Sequence, residues 1–261
     1  MVEYLPEISG QILGALALGA FVAGLVDAVV GGGGLIQIPL LFGAFPEYPP
    51  ALLFGTNKVA SIVGTSSAAI QYARRIKIEW PVAIPSVLAA LAFSWLGARS
   101  VTLFPPEILR PLVLVLLIAV ATYTFRRKDF GIQGSSHTQS GIRQTLTAVG
   151  IGATLGFYDG FFGPGTGSFL IFAFVRFLGM DFLRGSVTAK LTNVATNLAA
   201  ILFFAGAGAI IWEAALTMAA ANLAGALAGS RLALKHGSQF IRRVFLLVVC
   251  ALIIKLCRDL F

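Results

Sequence analysis

The chain has 261 residues, of which 57% are hydrophobic and only 11% are charged, with a formal net charge of +8. So few polar side chains cannot cover a globule of this size in water, and the composition therefore excludes a soluble domain. The positive charge would suggest nucleic acid as a partner of a soluble protein, but here the basic residues lie in short connections between apolar runs. Because Lys and Arg collect in the cytoplasmic loops of membrane proteins, we expect a lipid bilayer as the partner and no nucleic acid.

Apolar runs follow one another along the whole chain and predict an all-α, polytopic membrane protein. A helix needs about 20 apolar residues to cross the hydrocarbon of a bilayer. Two shorter apolar runs, 35–45 and 167–179, directly follow glycine-rich stretches, which we name the first break (residues 31–34) and the second break (residues 163–167). The long runs are, in chain order, 10–30, 52–72, 80–98, 108–125, 144–162, 186–206, 210–230 and 241–257.

The sequence repeats itself after 132 residues, because residues 24–99 align on residues 156–231 without a gap. The alignment places the first break on the second, and an aspartate and a lysine of one half on the same residue types of the other. A duplicated membrane protein with a broken helix and ionisable residues in each half has the pattern of a secondary transporter. We therefore predict two membrane repeats, 1–125 and 144–261, joined by a cytoplasmic polar linker at 126–143.

The positions of the basic residues predict that the two repeats are inverted relative to each other. Lys and Arg prefer the cytoplasmic side, and they are concentrated in the connections 73–79, 126–143 and 231–243. With these three connections inside, helix 52–72 runs inward, whereas its repeat partner 186–206 runs outward. Each repeat then consists of a glycine-broken helical hairpin followed by three transmembrane helices.

The two breaks predict an anion site. A helix that begins directly after a break presents free backbone N–H groups and the positive end of its dipole, which together favour an anion. The alternative is that the glycines only allow close helix packing. Because the breaks occupy matching positions, we favour the anion site. Its candidate donors are Gly33, Gly34 and Leu35 in the first repeat and Gly165, Thr166, Gly167 and Ser168 in the second.

Two lysines, Lys58 and Lys190, lie at equivalent positions near the start of equivalent helices. An unpaired lysine in the bilayer centre costs about 3 kcal/mol or more, so a buried one normally meets a counter-ion or a bound anion. The alternative is that each side chain snorkels to the membrane interface. Duplication favours the first interpretation, and we expect both lysines to neutralise the substrate, with Asn57, Asn193 and Asn197 as further substrate contacts.

Two aspartates, Asp27 and Asp159, each lie four residues before a break. This spacing places each carboxylate about one helical turn from the anion site. Both are candidates for carrying a proton coupled to transport. The sequence leaves open two structural alternatives, an Asp–Lys pair and a cap for loose N–H groups at the break.

The cysteines and histidines indicate no metal and no cofactor. Cys250 and Cys257 share one face of the last helix, and His137 and His236 lie in predicted loops. Neither pair has the spacing of a metal site or of a disulfide framework.

The sequences around both breaks resemble those of the TauE/SafE family of sulfite and organosulfonate exporters. The resemblance covers essentially the whole chain. It implies a multi-pass protein of the bacterial cytoplasmic (inner) membrane that moves small sulfur-containing anions, such as sulfite or sulfoacetate. The matching stretches are GLVDAVVGGGGLIQIPLL at 24–41, GTNKVAS at 55–61, GFYDGFFGPGTGSF at 156–169 and TAKLTNVATN at 188–197.

Two other functions compete with a carrier that works by alternating access. A passive anion channel would use the same dipoles and lysines. An intramembrane aspartyl protease would use both aspartates, and Tyr158 with Asp159 supplies a Tyr-Asp pair, but Asp27 lacks the preceding Gly-x-Gly of such enzymes. We therefore predict a transporter and no enzyme. The sequence leaves open the anion, the direction, the coupling ion and the oligomeric state, for which a homodimer is one option.

Overall fold

A computed structural model of the chain describes residues 8–101, Gly131 and residues 141–260. These residues form helices and no strand, which confirms the all-α prediction. The predicted helix 108–125 and most of the predicted linker 126–143 lie outside the described residues. The helices are α1 (Gly10–Val30), α2 (Gly34–Ala44), α3 (Pro50–Ala73), α4 (Trp80–Arg99), α5 (Ile142–Phe161), α6 (Thr166–Leu178), α7 (Phe182–Gly206) and α8 (Trp212–Leu260).

The outer surface of the helices is apolar, as expected for a protein in lipid. Of the described helices, α1, α4 and α7 are long and apolar enough to cross a membrane by length and composition. Large side chains such as Leu18, Leu88 and Leu202 are exposed on these three helices. Helix α8 contains a non-helical residue, Gly237, with φ 74° and ψ −171°. Its two parts correspond to the predicted runs 210–230 and 241–257.

The two short helices begin directly after the two breaks. Helix α2 has 11 residues and α6 has 13, so at about 1.5 Å per residue neither reaches across the ~30 Å hydrocarbon core. Gly31 ends α1 with φ 78°, and Gly163 and Gly165 lie between α5 and α6 with φ 91° and 81°. Residues that carry a side chain rarely adopt a positive φ, which explains the need for glycine at these three positions.

The most extensive helix contacts are those of α1 with α8 and of α4 with α5. Each contact joins a helix of one sequence repeat to a helix of the other. A Cβ on Gly24 of α1 would overlap the backbone of Asn222, and one on Gly156 of α5 would lie 2.7 Å from Cα of Ala90. These two contacts occupy matching positions of the sequence repeat. Small residues therefore also serve close helix packing here, away from the breaks.

Candidate functional site

Helices α3 and α7 pack against each other and carry the two lysines of the predicted site. Lys58 is 2% exposed and Lys190 is 3% exposed. Both ammonium groups lie within the protein, so neither side chain snorkels in this conformation. A buried ammonium must be compensated by partners within the protein or by a bound anion.

The two lysines have different partners. The Lys58 ammonium forms an ion pair with the Asp159 carboxylate, with 2.7 Å between Nζ and Oδ2. Lys190 Nζ instead donates to the backbone oxygen of Asp27 at 3.4 Å and lies 4.8 Å from the ring centroid of Tyr72. Among the described residues Lys190 has no ion pair with a carboxylate. The Asp–Lys pair that the sequence left open thus forms for Asp159.

The two aspartates also differ. The partly buried Asp27 carboxylate accepts hydrogen bonds from the Gly33 backbone N–H at 3.2 Å and from the Thr65 hydroxyl at 3.1 Å. Asp27 therefore acts as a cap for the first break, the second structural alternative that the sequence left open. Asp159 is 2% exposed, and in the part of the chain that is described its carboxylate pairs with Lys58 alone.

The first and second breaks contact each other. The Ser168 amide donates to the Gly31 oxygen at 3.0 Å, and the Ser168 hydroxyl donates to the Val30 oxygen at 2.8 Å. A Cβ on Gly167 would lie only 2.6 Å from Cα of Gly31. The glycines thus allow a direct backbone contact between the ends of the two hairpins. Ser168 is engaged in this contact and is not a free donor here.

Three helix-start amides remain free around this contact. The N–H groups of Gly34, Gly165 and Gly167 have no acceptor among the described residues. Those of Leu35 and Thr166 bond to carbonyls within their own breaks, at 3.2 Å each. The free amides lie at the starts of α2 and α6, where the helix dipole is positive. Backbone donors for an anion are therefore present in both sequence repeats.

Most of the predicted site residues line one small cavity, which we name the main cavity. Measured as the space open to the centre of a water molecule, its volume is about 20 Å³, which holds about one water. Four predicted residues, Gly33, Leu35, Ser168 and Lys190, do not line it. Its lining is Asp27, Gly31, Gly34, Asn57, Lys58, Ser61, Asp159, Gly163, Gly165, Thr166, Gly167, Asn193 and Asn197.

A second cavity, of about 10 Å³ by the same measure, adjoins the main cavity and is lined by Lys190. It shares Asp27, Gly31, Gly167 and Asn193 with the main cavity. Both lysines therefore face small internal spaces beside the contact of the two breaks.

The site asparagines differ in how far their amides are already used. Asn193 donates to Thr196 at 3.3 Å, and Asn197 donates to Asn193 at 3.4 Å. The Asn57 oxygen is buried and has no hydrogen-bond partner among the described residues. Because Asn57 lines the main cavity beside Lys58, its side-chain oxygen is available there to accept a hydrogen bond.

The prediction from sequence missed two residues, Ser61 and Thr65. Ser61 lines the main cavity and donates to Gln37 at 3.1 Å, and Thr65 holds Asp27. The repeat itself contains the signal that identifies them, because Ser61 aligns with Asn193 and Thr65 with Asn197.

Comparisons with known proteins show the family to which the chain belongs. The family model described as sulfite exporter TauE/SafE matches residues 16–256. The chain is 35% identical over 253 residues to a probable membrane transporter protein, ORF9, of Sinorhizobium sp, covering 97% of this chain and 95% of the relative. It is 33% identical to the probable membrane transporter protein YfcA of Escherichia coli K12, covering 97% and 92%.

A probable membrane transporter protein of Haemophilus influenzae is 31% identical to the chain, covering 97% of both. No solved structure matches the chain significantly. The family match spans most of the sequence, including both breaks and both lysines. The resemblance seen in the sequence is thereby confirmed, and the chain belongs to the TauE/SafE family of membrane transporters.

Proposed function

We propose that this transporter moves small sulfur-containing anions, such as sulfite or an organosulfonate like sulfoacetate, across the bacterial cytoplasmic membrane. The main cavity combines the buried Lys58 ammonium with the free amides of Gly165 and Gly167. This combination is the observation that carries the proposal. A sulfite or sulfonate group has several oxygens and accepts hydrogen bonds from an ammonium and from helix-start amides at the same time.

We propose that transport occurs by alternating access. The main cavity holds about one water in this conformation, so a larger anion enters only when the helices around it move apart. The contact between the two breaks is where such a movement begins, because it joins the hairpins of the two sequence repeats. Rocking of one inverted repeat against the other is the common way to expose a central site to each side in turn.

We propose the inverted topology for the same chain, with the connections 73–79, 126–143 and 231–243 in the cytoplasm. This orientation follows the positive-inside rule. It makes the start of α2 and the start of α6 approach each other from opposite sides of the membrane. The Asp27 and Asp159 carboxylates beside this point are candidates for a coupled proton, and the small-anion site itself needs no metal or cofactor.

The site geometry favours a carrier over an aspartyl protease. Such proteases share one proton between two neighbouring carboxylates. Here Asp159 is paired with Lys58, while Asp27 accepts hydrogen bonds from Gly33 and Thr65. Neither carboxylate is arranged as half of a proton-sharing pair.

Counterflow in proteoliposomes tests the proposed function and separates a carrier from a channel. Vesicles with purified protein are loaded with unlabelled sulfite, sulfoacetate or ethanesulfonate and diluted into the same labelled anion. A carrier gives transient accumulation of label, because internal anion accelerates exchange. Equal label inside and outside, without overshoot, indicates a channel, and no protein-dependent uptake of any of the three anions contradicts the proposal.

A further inference from the structure

We propose that Asp159 carries one proton with each transported anion, so that movement of a singly charged anion is electroneutral. This inference rests on the proposed function and identifies which carboxylate is the coupling group.

The formal charges around the two cavities sum to zero. Among the described residues, the charged groups that line either cavity are Lys58, Lys190, Asp27 and Asp159. Three of these four are at most 3% exposed, and Asp27 is partly buried. An anion that enters alone leaves this low-dielectric site with an uncompensated negative charge, which is costly away from water. An anion that enters with a proton leaves it neutral.

The anion competes with Asp159 for Lys58. The free backbone amides of Gly165 and Gly167 lie around the main cavity together with the Lys58–Asp159 pair. An anion held by these donors lies within reach of the Lys58 ammonium. When Lys58 turns to the anion, Asp159 loses the one group that pairs with it in the described structure.

Asp27 does not face the same loss. Its carboxylate accepts hydrogen bonds from Gly33 and Thr65, and neither bond involves Lys58. The charged groups that line the main cavity with Asp159 are Lys58 on α3 and Asp27 on α1. Lys190 on α7 lines the adjoining second cavity, and helices α2, α4 and α6 bring no charged group to either cavity. Without Lys58, the nearest compensation for Asp159 is therefore a proton.

The proton balance is simple. On the loading side, water delivers a proton that forms an O–H bond with the Asp159 carboxylate as Lys58 moves to the anion. On the release side the anion leaves, Asp159 returns the proton to water, and the Lys58–Asp159 pair forms again. One proton and one anion cross the membrane together. For a singly charged anion, this step moves no net charge.

The test uses purified full-length protein in liposomes that contain the pH dye pyranine, with the voltage set by potassium and valinomycin. Labelled ethanesulfonate is the probe, because its charge is fixed at minus one, and sulfite is measured in parallel. We expect one proton per ethanesulfonate, accumulation driven by a pH gradient, and no response of the rate to voltage. Voltage-driven uptake without a proton signal would overturn the inference.

Three variants assign the proton. We expect any counterflow that Asp159→Asn retains to lack the proton signal and the pH-driven accumulation, because an amide at this position cannot take up the proton. In Asp27→Asn the ratio of protons to anions should stay at one, even if the transport rate of this variant changes. Asp181→Asn is the matched control, because Asp181 caps α7 outside both cavities and Asn caps equally well; it should behave as wild type.

The outcomes separate the two claims. Loss of proton coupling in Asp27→Asn rather than in Asp159→Asn overturns the assignment to Asp159 while the transport function stands. If Asp159→Asn shows no counterflow, the ratio of protons to anions in wild-type protein tests the coupling, and a ratio of zero overturns the inference. The ratio in Asp27→Asn then tests the assignment to Asp159. If wild-type protein exchanges none of the anions, the proposed function fails and the inference fails with it.

Discussion

The substitution Lys58→Gln tests whether the Lys58 ammonium binds the anion or only stabilises the fold. It removes a buried charge 2.7 Å from the Asp159 carboxylate while keeping a polar side chain of similar length. Loss of one partner of a buried charge contact costs a ligand about 2–5 kcal/mol of binding free energy. At about 1.4 kcal/mol per factor of ten, we expect affinity to fall by roughly 30-fold or more.

The same substitution affects stability, because it leaves the Asp159 carboxylate buried and unpaired. Breaking a buried pair by removing one partner costs about 3–5 kcal/mol of the free energy of unfolding. The double variant Lys58→Gln with Asp159→Asn removes both charges. We expect it to recover most of the lost stability but none of the lost affinity, because the ammonium is still absent.

The measurements are isothermal titration with ethanesulfonate and thermal unfolding followed by tryptophan fluorescence, both in detergent. Arg184→Gln is the matched control, because it breaks two partly exposed ion pairs, with Glu79 at 3.4 Å and with Asp181 at 3.5 Å. Exposed pairs contribute about 0–1 kcal/mol, so neither stability nor affinity should change much. Affinity of Lys58→Gln within a factor of about three of wild type, at full occupancy, would refute the role of Lys58 in binding.

Three further predictions concern topology, the contact of the breaks and the cap of the first break. In a cysteine-free background, cysteines at Ser100 and at Ser136, which lies outside the described residues, should label from opposite membrane faces; labelling from one face contradicts the inverted topology. Gly167→Ala should lower the free energy of unfolding by about 1–3 kcal/mol through overpacking and should abolish counterflow. Gly43→Ala, where an added Cβ has no atom within 4 Å, should retain counterflow. Equal activity of both variants contradicts the importance of the contact between the breaks. Thr65→Val removes the hydroxyl that donates to Asp27 at 3.1 Å and should lower the free energy of unfolding by about 1.5–3 kcal/mol, with an unchanged melting temperature as the contrary result.

Much of the helix pattern followed from the sequence, because long apolar runs and glycine breaks act locally. The run 10–30 corresponds to α1, and the short helices α2 and α6 begin at Gly34 and Thr166. The region of the site also followed, since repeated positions pointed to the same lysines and aspartates that line the cavities. These signals depend on residue types and spacings along the chain, which the sequence contains in full.

The partner of each charge did not follow from the sequence, because the two halves look equivalent there. Asp27 and Asp159 occupy the same position of the repeat, as do Lys58 and Lys190. Their difference arises from neighbours that diverged between the halves. Thr65 donates a hydroxyl to Asp27, whereas the residue aligned with it carries an amide that donates to another asparagine. Such a choice depends on tertiary contacts.

The charges of the site are arranged crosswise between the two sequence repeats. Lys58 of the first sequence repeat pairs with Asp159 of the second, and Lys190 of the second lies beside Asp27 of the first. If one repeat rocks against the other, as we propose, each movement changes both lysine–aspartate distances. An ion pair within one repeat would move as a unit and would not respond. A pair between repeats would open and close with the proposed conformational change, so that access to the anion site and the charge state of Asp159 would change in the same step.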